Sequence, residues 1–225
     1  MSDYLFAPAP QPALEIEGSD KLFPIRRIYC VGRNYAEHAR EMGNDPEREP
    51  PFFFTKPASA YLPSGPLPYP PATQNLHHEA ELVVALHKGG RDLSPEAAGD
   101  LIFGYACGND LTRRDLQNEA KSLRRPWDMS KGFDNSAVIG ALRAGPLSDG
   151  VIRCRVNGET RQEARLSDMI WDVASVIASL SRLVTLYPGD LIMTGTPAGV
   201  GALAIGDLCR VEIEGLRAIE SRITA

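Results

Sequence analysis

Residues 77–86 read HHEAELVVAL, and the way this run must sit decides most of the fold. Glu79 and Glu81 stand two apart, and Leu82, Val83, Val84, Ala85 and Leu86 follow without a polar break. That pattern belongs to a strand with a polar end and a body covered on both faces. Residues two apart on a strand point to one side, so the two carboxylates lie side by side. Leu101–Asn109 reads as the next buried strand, and Asp110 ends it. If the two strands are neighbours, three carboxylates converge. At ~5 Å and an effective dielectric of about 20, each charged pair repels by roughly 3 kcal/mol, and a cation offsets that repulsion. An all-oxygen set suits Mg²⁺, Mn²⁺ or Ca²⁺ better than zinc. The same spacing also fits the solvent face of an ordinary strand, and it leaves both readings open. His77 and His78, just before the pair, could serve as a ligand, support one, or simply hydrogen-bond a loop.

Upstream of this run, Ile28, Cys30 and Val31 form a short apolar strand closed by Gly32. The polar stretch 33–51 follows and predicts a mobile surface loop holding a short helical turn. His38 and Glu41 are three apart, so a helical turn stacks them on one face, the arrangement of a base and its orienter. Exposed helices show the same spacing with no chemistry attached. Phe52–Thr55 is an aromatic strand, and the prolines between Pro63 and Pro71 exclude regular helix or central strand. Residues 1–24 hold four of the 18 prolines and no hydrophobic period. They predict an extended arm, with residues 25–225 as a single domain.

Downstream, Thr112 with Asp115 three residues later predicts a helix opening with a capping residue. Lys131, in WDMSKGFD, either faces an anion or lays its stem along the surface. Val151–Val156, Asn157-Gly158 and Glu159–Gln162 predict a hairpin with a type I′ turn. Asp172 is placed to cap an amphipathic helix with Val173, Val176, Ile177, Leu180, Leu183 and Val184 on one face, stopped by Tyr187-Pro188-Gly189. Leu191–Thr194 is a strand, and Cys209, Val211 and Ile213 alternate with charges in a last one. The loop TGTPAGVG, residues 194–201, offers backbone N–H groups and hydroxyls to an anion. Many short strands with two or three helices predict a β-dominated α+β fold.

The chain has 225 residues, 43% hydrophobic and 24% charged, enough for one sizeable core. A net charge of −5 leaves no basic footprint for nucleic acid or an anionic membrane. No apolar run is long enough to span a bilayer, and the first residues carry no secretory signal pattern. Cys30, Cys107, Cys154 and Cys209 are scattered, as expected of reduced core thiols in a cytoplasmic protein. G-x-S-x-G, Walker and G-x-G-x-x-G motifs are missing.

The ordered set YCVGRNYAEHAREMG, FFFTKPASAY, HHEAELVV, GYACGNDLTRRDLQ, WDMSKGFD, VNGETRQE and LYPGDLIMTGTPAGVG resembles the catalytic domain of the fumarylacetoacetate hydrolase superfamily, over about residues 25–215. Within it the chain is most similar to the short acylpyruvate hydrolases. The resemblance implies a twisted β-roll with few helices and a homodimer. It implies that Glu79, Glu81 and Asp110 hold Mg²⁺ or Mn²⁺, with Ca²⁺ as a stand-in in crystals. It implies that His38 and Glu41 form a dyad on a lid, and that Lys131 stabilises developing negative charge. Arg33, Arg114, Gln117 and Thr196 match positions that contact the substrate's carboxylate and keto oxygens. The implied substrate is a 2,4-diketo acid, fumarylpyruvate foremost, cut to fumarate and pyruvate in aromatic catabolism. The same metal–enolate chemistry leaves open an oxaloacetate decarboxylase or tautomerase, or a related isomerase or decarboxylase.

Overall fold

The strand Ala80–Leu86 is the hub of the computed structural model, which describes residues 4–41 and 50–225. All seven of its residues are buried, because each face has a core of its own. Leu82, Val84 and Leu86 join the larger core with Ile152, Cys154, Val211 and Ile213 from a second sheet and Val176, Ile177 and Leu180 from a helix. Val83 and Ala85 turn the other way, as the two-residue period of a strand requires, and pack with Ile28, Cys30, Ala106, Ile139, Leu191 and Met193.

In the eight-stranded sheet the order is Phe52–Lys56, Arg27–Gly32, Asp190–Met193, Ala80–Leu86, Ile102–Asp110, Ala137–Ile139 and Tyr61–Leu62, with Arg143–Ala144 also paired to Ile102–Asp110. Ala80–Leu86 is antiparallel to both its neighbours. Ala80 pairs with Asn109, and the Asp110 N–H donates to the Glu79 carbonyl at 2.9 Å. The two carboxylate-bearing strand ends are therefore adjacent, as the sequence required for convergence.

Five strands make the second sheet, in the order Glu159–Arg165, Val151–Val156, Leu208–Ile213, Ile219–Thr224 and Gly65–Pro68. Gly65–Pro68 is its edge, where Pro66 and Pro68 cost no internal ladder bonds. The expected hairpin turn is present, with φ of 53° at Asn157 and 87° at Gly158, the left-handed pair a type I′ turn needs. With five short α-helices among the described residues, the fold is α+β and β-dominated. None of those helices is long and apolar enough to cross a membrane. The four cysteines are free and buried.

Several expectations need correction. Residues 1–24 are not simply an arm, because Ala13–Glu15 pairs antiparallel with Leu22–Pro24. Leu14 and Phe23 from this hairpin close the second core, while Pro8, Pro10 and Pro12 precede the paired residues and Pro24 ends them. Thr112 does not cap a helix. It pairs with His77 in a short strand, Thr112–Arg113, and its hydroxyl donates to the Asp110 carbonyl, while the helix runs Arg114–Ser122. Asp115 instead accepts from the Thr73 hydroxyl at 2.6 Å and the Gln74 N–H at 3.0 Å. Asp172 does cap Val173–Leu183, accepting from the Ser175 N–H at 2.7 Å, but Leu183 is exposed because the chain turns extended at Val184. Leu208–Ile213 is followed by one more strand, Ile219–Thr224, which the charges in IESRIT disguise.

Candidate active site

Glu79 and Glu81 leave the end of the central strand on one side, and Asp110 comes up beside them from the next strand. One oxygen from each lies within 4.8 Å of the others, and all three side chains are buried. His38, Arg33, Glu79, Glu81, Arg114, Gln117, Lys131 and Thr196 line one cleft, and Asp110 is fully buried. Nine of the ten residues singled out in the sequence are thereby brought together. The Glu41 side chain lies outside the described residues.

Three cations balance Glu79 and Asp110. Lys131 donates to Glu79 Oε2 at 2.7 Å and to Asp110 Oδ2 at 2.8 Å. Arg114 donates to Glu79 Oε1 and to the Gln117 side-chain oxygen, and its Nε donates to His77 Nδ1 at 3.3 Å. Lys56 Nζ lies 2.7 Å from Asp110 Oδ1, an ion pair between two fully buried side chains. Burial opposes charge on Glu79, but Lys131 and Arg114 outweigh it and hold its carboxyl well below the usual range. Burial likewise opposes charge on Lys131, while Asp110 and Glu79 hold its ammonium up at about 12.

Glu81 is treated differently. Its Oε2 accepts the Gly195 N–H at 2.8 Å, and no lysine or arginine reaches it among the described residues. Burial, reinforced by the charges of Asp110 and Glu79, pushes its carboxyl well above the usual range. A group so placed takes up a proton or a cation. Together with Glu79 and Asp110, this makes a buried, all-oxygen donor set that fits a hard divalent ion. Gly195 holds its N–H there at φ 99°, in the left-handed region, and a Cβ would meet Asn34 Cβ at 2.7 Å.

Two residues that the sequence reading passed over support the site. Lys56, at the end of Phe52–Lys56, is buried, and besides Asp110 it donates to the Leu111 and Lys131 carbonyls. Gln162, also buried, uses its whole amide. Its oxygen accepts from the Ala80 N–H and from His78 Nδ1, both at 3.0 Å. Its nitrogen donates to the Thr196 hydroxyl and the Pro197 carbonyl, both at 2.7 Å. The start of the glutamate strand is thus tied to the TGTP loop through one side chain. His77 and His78 are not in the carboxylate cluster. His77, kept neutral by burial and then by Arg114 with its pKa lowered to about 4, supports Arg114, and His78 supports Gln162. Asn34 joins the His38 segment to the same loop, donating to the Thr194 carbonyl at 2.8 Å and to the Trp171 carbonyl at 2.9 Å.

Residues 27–224 match the family described as fumarylacetoacetate (FAA) hydrolase C-terminal, and the chain belongs to that family. Among solved structures it is similar to fumarylpyruvate hydrolase from Pseudomonas aeruginosa in complex with Mn²⁺ and pyruvate, at 49% identity and a TM-score of 0.97, covering 99% of each chain. It is 43% identical over 179 residues to a fumarylpyruvate hydrolase from Ralstonia sp, covering 78% of this chain and 93% of that one. It is also 41% identical over 197 residues to the mitochondrial oxaloacetate decarboxylase of Dictyostelium discoideum, covering 85% of this chain and 90% of that one.

Proposed function

We propose that this chain is a divalent-metal-dependent hydrolase of acylpyruvates, with fumarylpyruvate as its substrate and fumarate and pyruvate as products. The observation that carries the reading is the Glu79, Glu81 and Asp110 cluster within 4.8 Å, set in the same cleft as His38 and Lys131. Glu79, Glu81 and Asp110 would hold a divalent ion, Mg²⁺ or Mn²⁺ in this reading, which would supply Lewis-acid polarisation of the 2-keto group. His38, with Glu41 as the dyad partner that the family resemblance implies, takes a proton from water, and the hydroxide adds to the distal acyl carbonyl. Lys131 has two N–H groups engaged with Glu79 and Asp110, which leaves one to donate to the developing oxyanion. Collapse breaks the carbon–carbon bond, and the proton carried by His38 returns to the enolate carbon. Arg33, Gln117 and Thr196 hold the substrate's oxygens, and Arg114 acts there through Glu79 and Gln117. A homodimer in the cytoplasm, working in aromatic catabolism, completes the reading on the family resemblance.

A second reading, oxaloacetate decarboxylation, is favoured by the similarity to the Dictyostelium enzyme and would draw on the same three carboxylates and the divalent ion they would hold. One assay separates the two: loss of enol absorbance with fumarylpyruvate, and pyruvate release from oxaloacetate, each with Mn²⁺ and after chelation. Fumarylpyruvate turnover is expected to exceed oxaloacetate turnover and to fall by roughly 100-fold or more on chelation. Oxaloacetate turnover alone moves the assignment to the decarboxylase, and full activity in the chelated sample overturns the metal mechanism.

A further inference from the structure

The cleft wall away from the carboxylates is aromatic. Phe52 and Trp127 meet edge to face with centroids 5.3 Å apart, and Phe54 packs on the same indole at 5.7 Å. Three cations lie on these rings, the Lys131 ammonium being 5.1 Å from the Phe54 centroid. The Arg33 guanidinium is 5.3 Å from the Phe52 centroid, and the Lys121 ammonium is 5.3 Å from that of Trp127.

Lys121 stands apart from the other lysine of the cleft. Lys131 donates to both Glu79 and Asp110, whereas Lys121 lies on the face of Trp127 and makes no ion pair with a carboxylate among the described residues. The helix Arg114–Ser122 explains its placing. Arg114, Gln117 and Lys121 fall at i, i+3 and i+7, on one face, and all three line the cleft. Arg114 holds Glu79 at the metal end, and seven residues further on the helix has advanced about 10 Å. That is the length scale of an extended dicarboxylic diketo acid. Burial, and then the positive charges of Arg114 and Arg33, push the Lys121 ammonium down to about 8. A half-buried cation among like charges is stabilised by an anion, and a carboxylate entering a part-desolvated pocket needs a charged donor.

We propose that Lys121, seated on Trp127, binds the far carboxylate of the substrate and so selects dicarboxylic acylpyruvates over those ending in an alkyl group. The inference rests on the acylpyruvate reading above. The test compares kcat/KM for fumarylpyruvate and acetylpyruvate at saturating Mn²⁺ in the unmodified enzyme, Lys121→Met and Lys121→Arg. Lys121→Met loses roughly 10- to 100-fold on fumarylpyruvate, carried mainly by KM, and at most about threefold on acetylpyruvate. Lys121→Arg recovers most of the loss, because a cation is restored at the same ring. Acetylpyruvate turnover in the same preparation reports that the variant is folded. Equal losses on both substrates, or none on either, overturn the role of Lys121 while leaving the hydrolase reading in place. Acetylpyruvate turnover without fumarylpyruvate turnover in the unmodified enzyme overturns the dicarboxylate assignment itself, and turnover of neither overturns the function.

Discussion

The five-stranded sheet and the end of the eight-stranded sheet both carry rows of opposite charges, and the two rows differ in depth. On the five-stranded sheet Arg155 meets Glu212 at 3.3 Å, and Arg210 bridges Glu212 and Glu220, with side-chain exposures between 29% and 46%. At the cleft, Lys56, Lys131, Glu79 and Asp110 have side-chain exposures between 0% and 7%. The distances are alike, and the consequences are not. Where water can replace a lost partner, an ion pair contributes little. Where it cannot, removing one member strands the others in a medium that penalises charge. The shallow row finishes a surface, while the deep row holds charge in place for chemistry at a stability cost that the surrounding core sustains.

The hardest blow to this contrast is Asp110→Asn. Asp110 is the shared partner of Lys56 and Lys131 and one of the proposed metal oxygens, so the substitution leaves two buried ammonium groups short of a counter-charge. Activity is expected to fall by roughly 10²–10³-fold, with weaker Mn²⁺ binding by calorimetry and a stability loss of about 3–5 kcal/mol. Near-normal turnover and Mn²⁺ affinity would mean that the deep row is structural only.

Gln162→Leu sharpens the comparison without touching a charge. It removes all four hydrogen bonds of a buried amide and leaves the Ala80 N–H without its partner. A loss of about 1–3 kcal/mol in urea unfolding is expected. A fall in kcat/KM should accompany it, because the Thr196 loop and the glutamate strand lose their common anchor. Stability loss with unchanged kinetics would separate the scaffold from the site.

The smallest effect belongs to the shallow row. Arg210→Gln breaks both of its ion pairs at the surface and is expected to cost under about 1 kcal/mol, with kinetics untouched. An urea midpoint shifted as far as that of Asp110→Asn would erase the distinction between the rows.

These regions also differ in how openly the sequence displays them. The hairpin 151–165 is marked by alternation and by Asn157-Gly158, whose left-handed backbone few other pairs adopt easily. The Asp172 cap is equally local, since the bond it makes lies within three residues. Lys56 and Gln162 carry no such mark. A lysine after an aromatic strand and a glutamine in an exposed-looking strand, ETRQEAR, acquire meaning only from partners 55 and 34 residues away. The N-terminal hairpin is hidden for a related reason. Its Leu14 and Phe23 are single apolar residues among prolines and charges, and what buries them is a core assembled from distant strands.

By itself the sequence determined the periods: where strands alternate, where the central one is covered on both faces, where turns need left-handed residues, and that two glutamates share a side. These follow from backbone geometry within a few residues, which no distant partner alters. Tertiary structure decided the rest. It set Asp110 beside Glu79 through strand register, matched those two carboxylates with Lys56, Lys131 and Arg114 while leaving Glu81 without such a cation, and set Lys121 on the face of Trp127. Charge energies depend on distance and burial, and both come into being only when segments far apart in the chain close over one another.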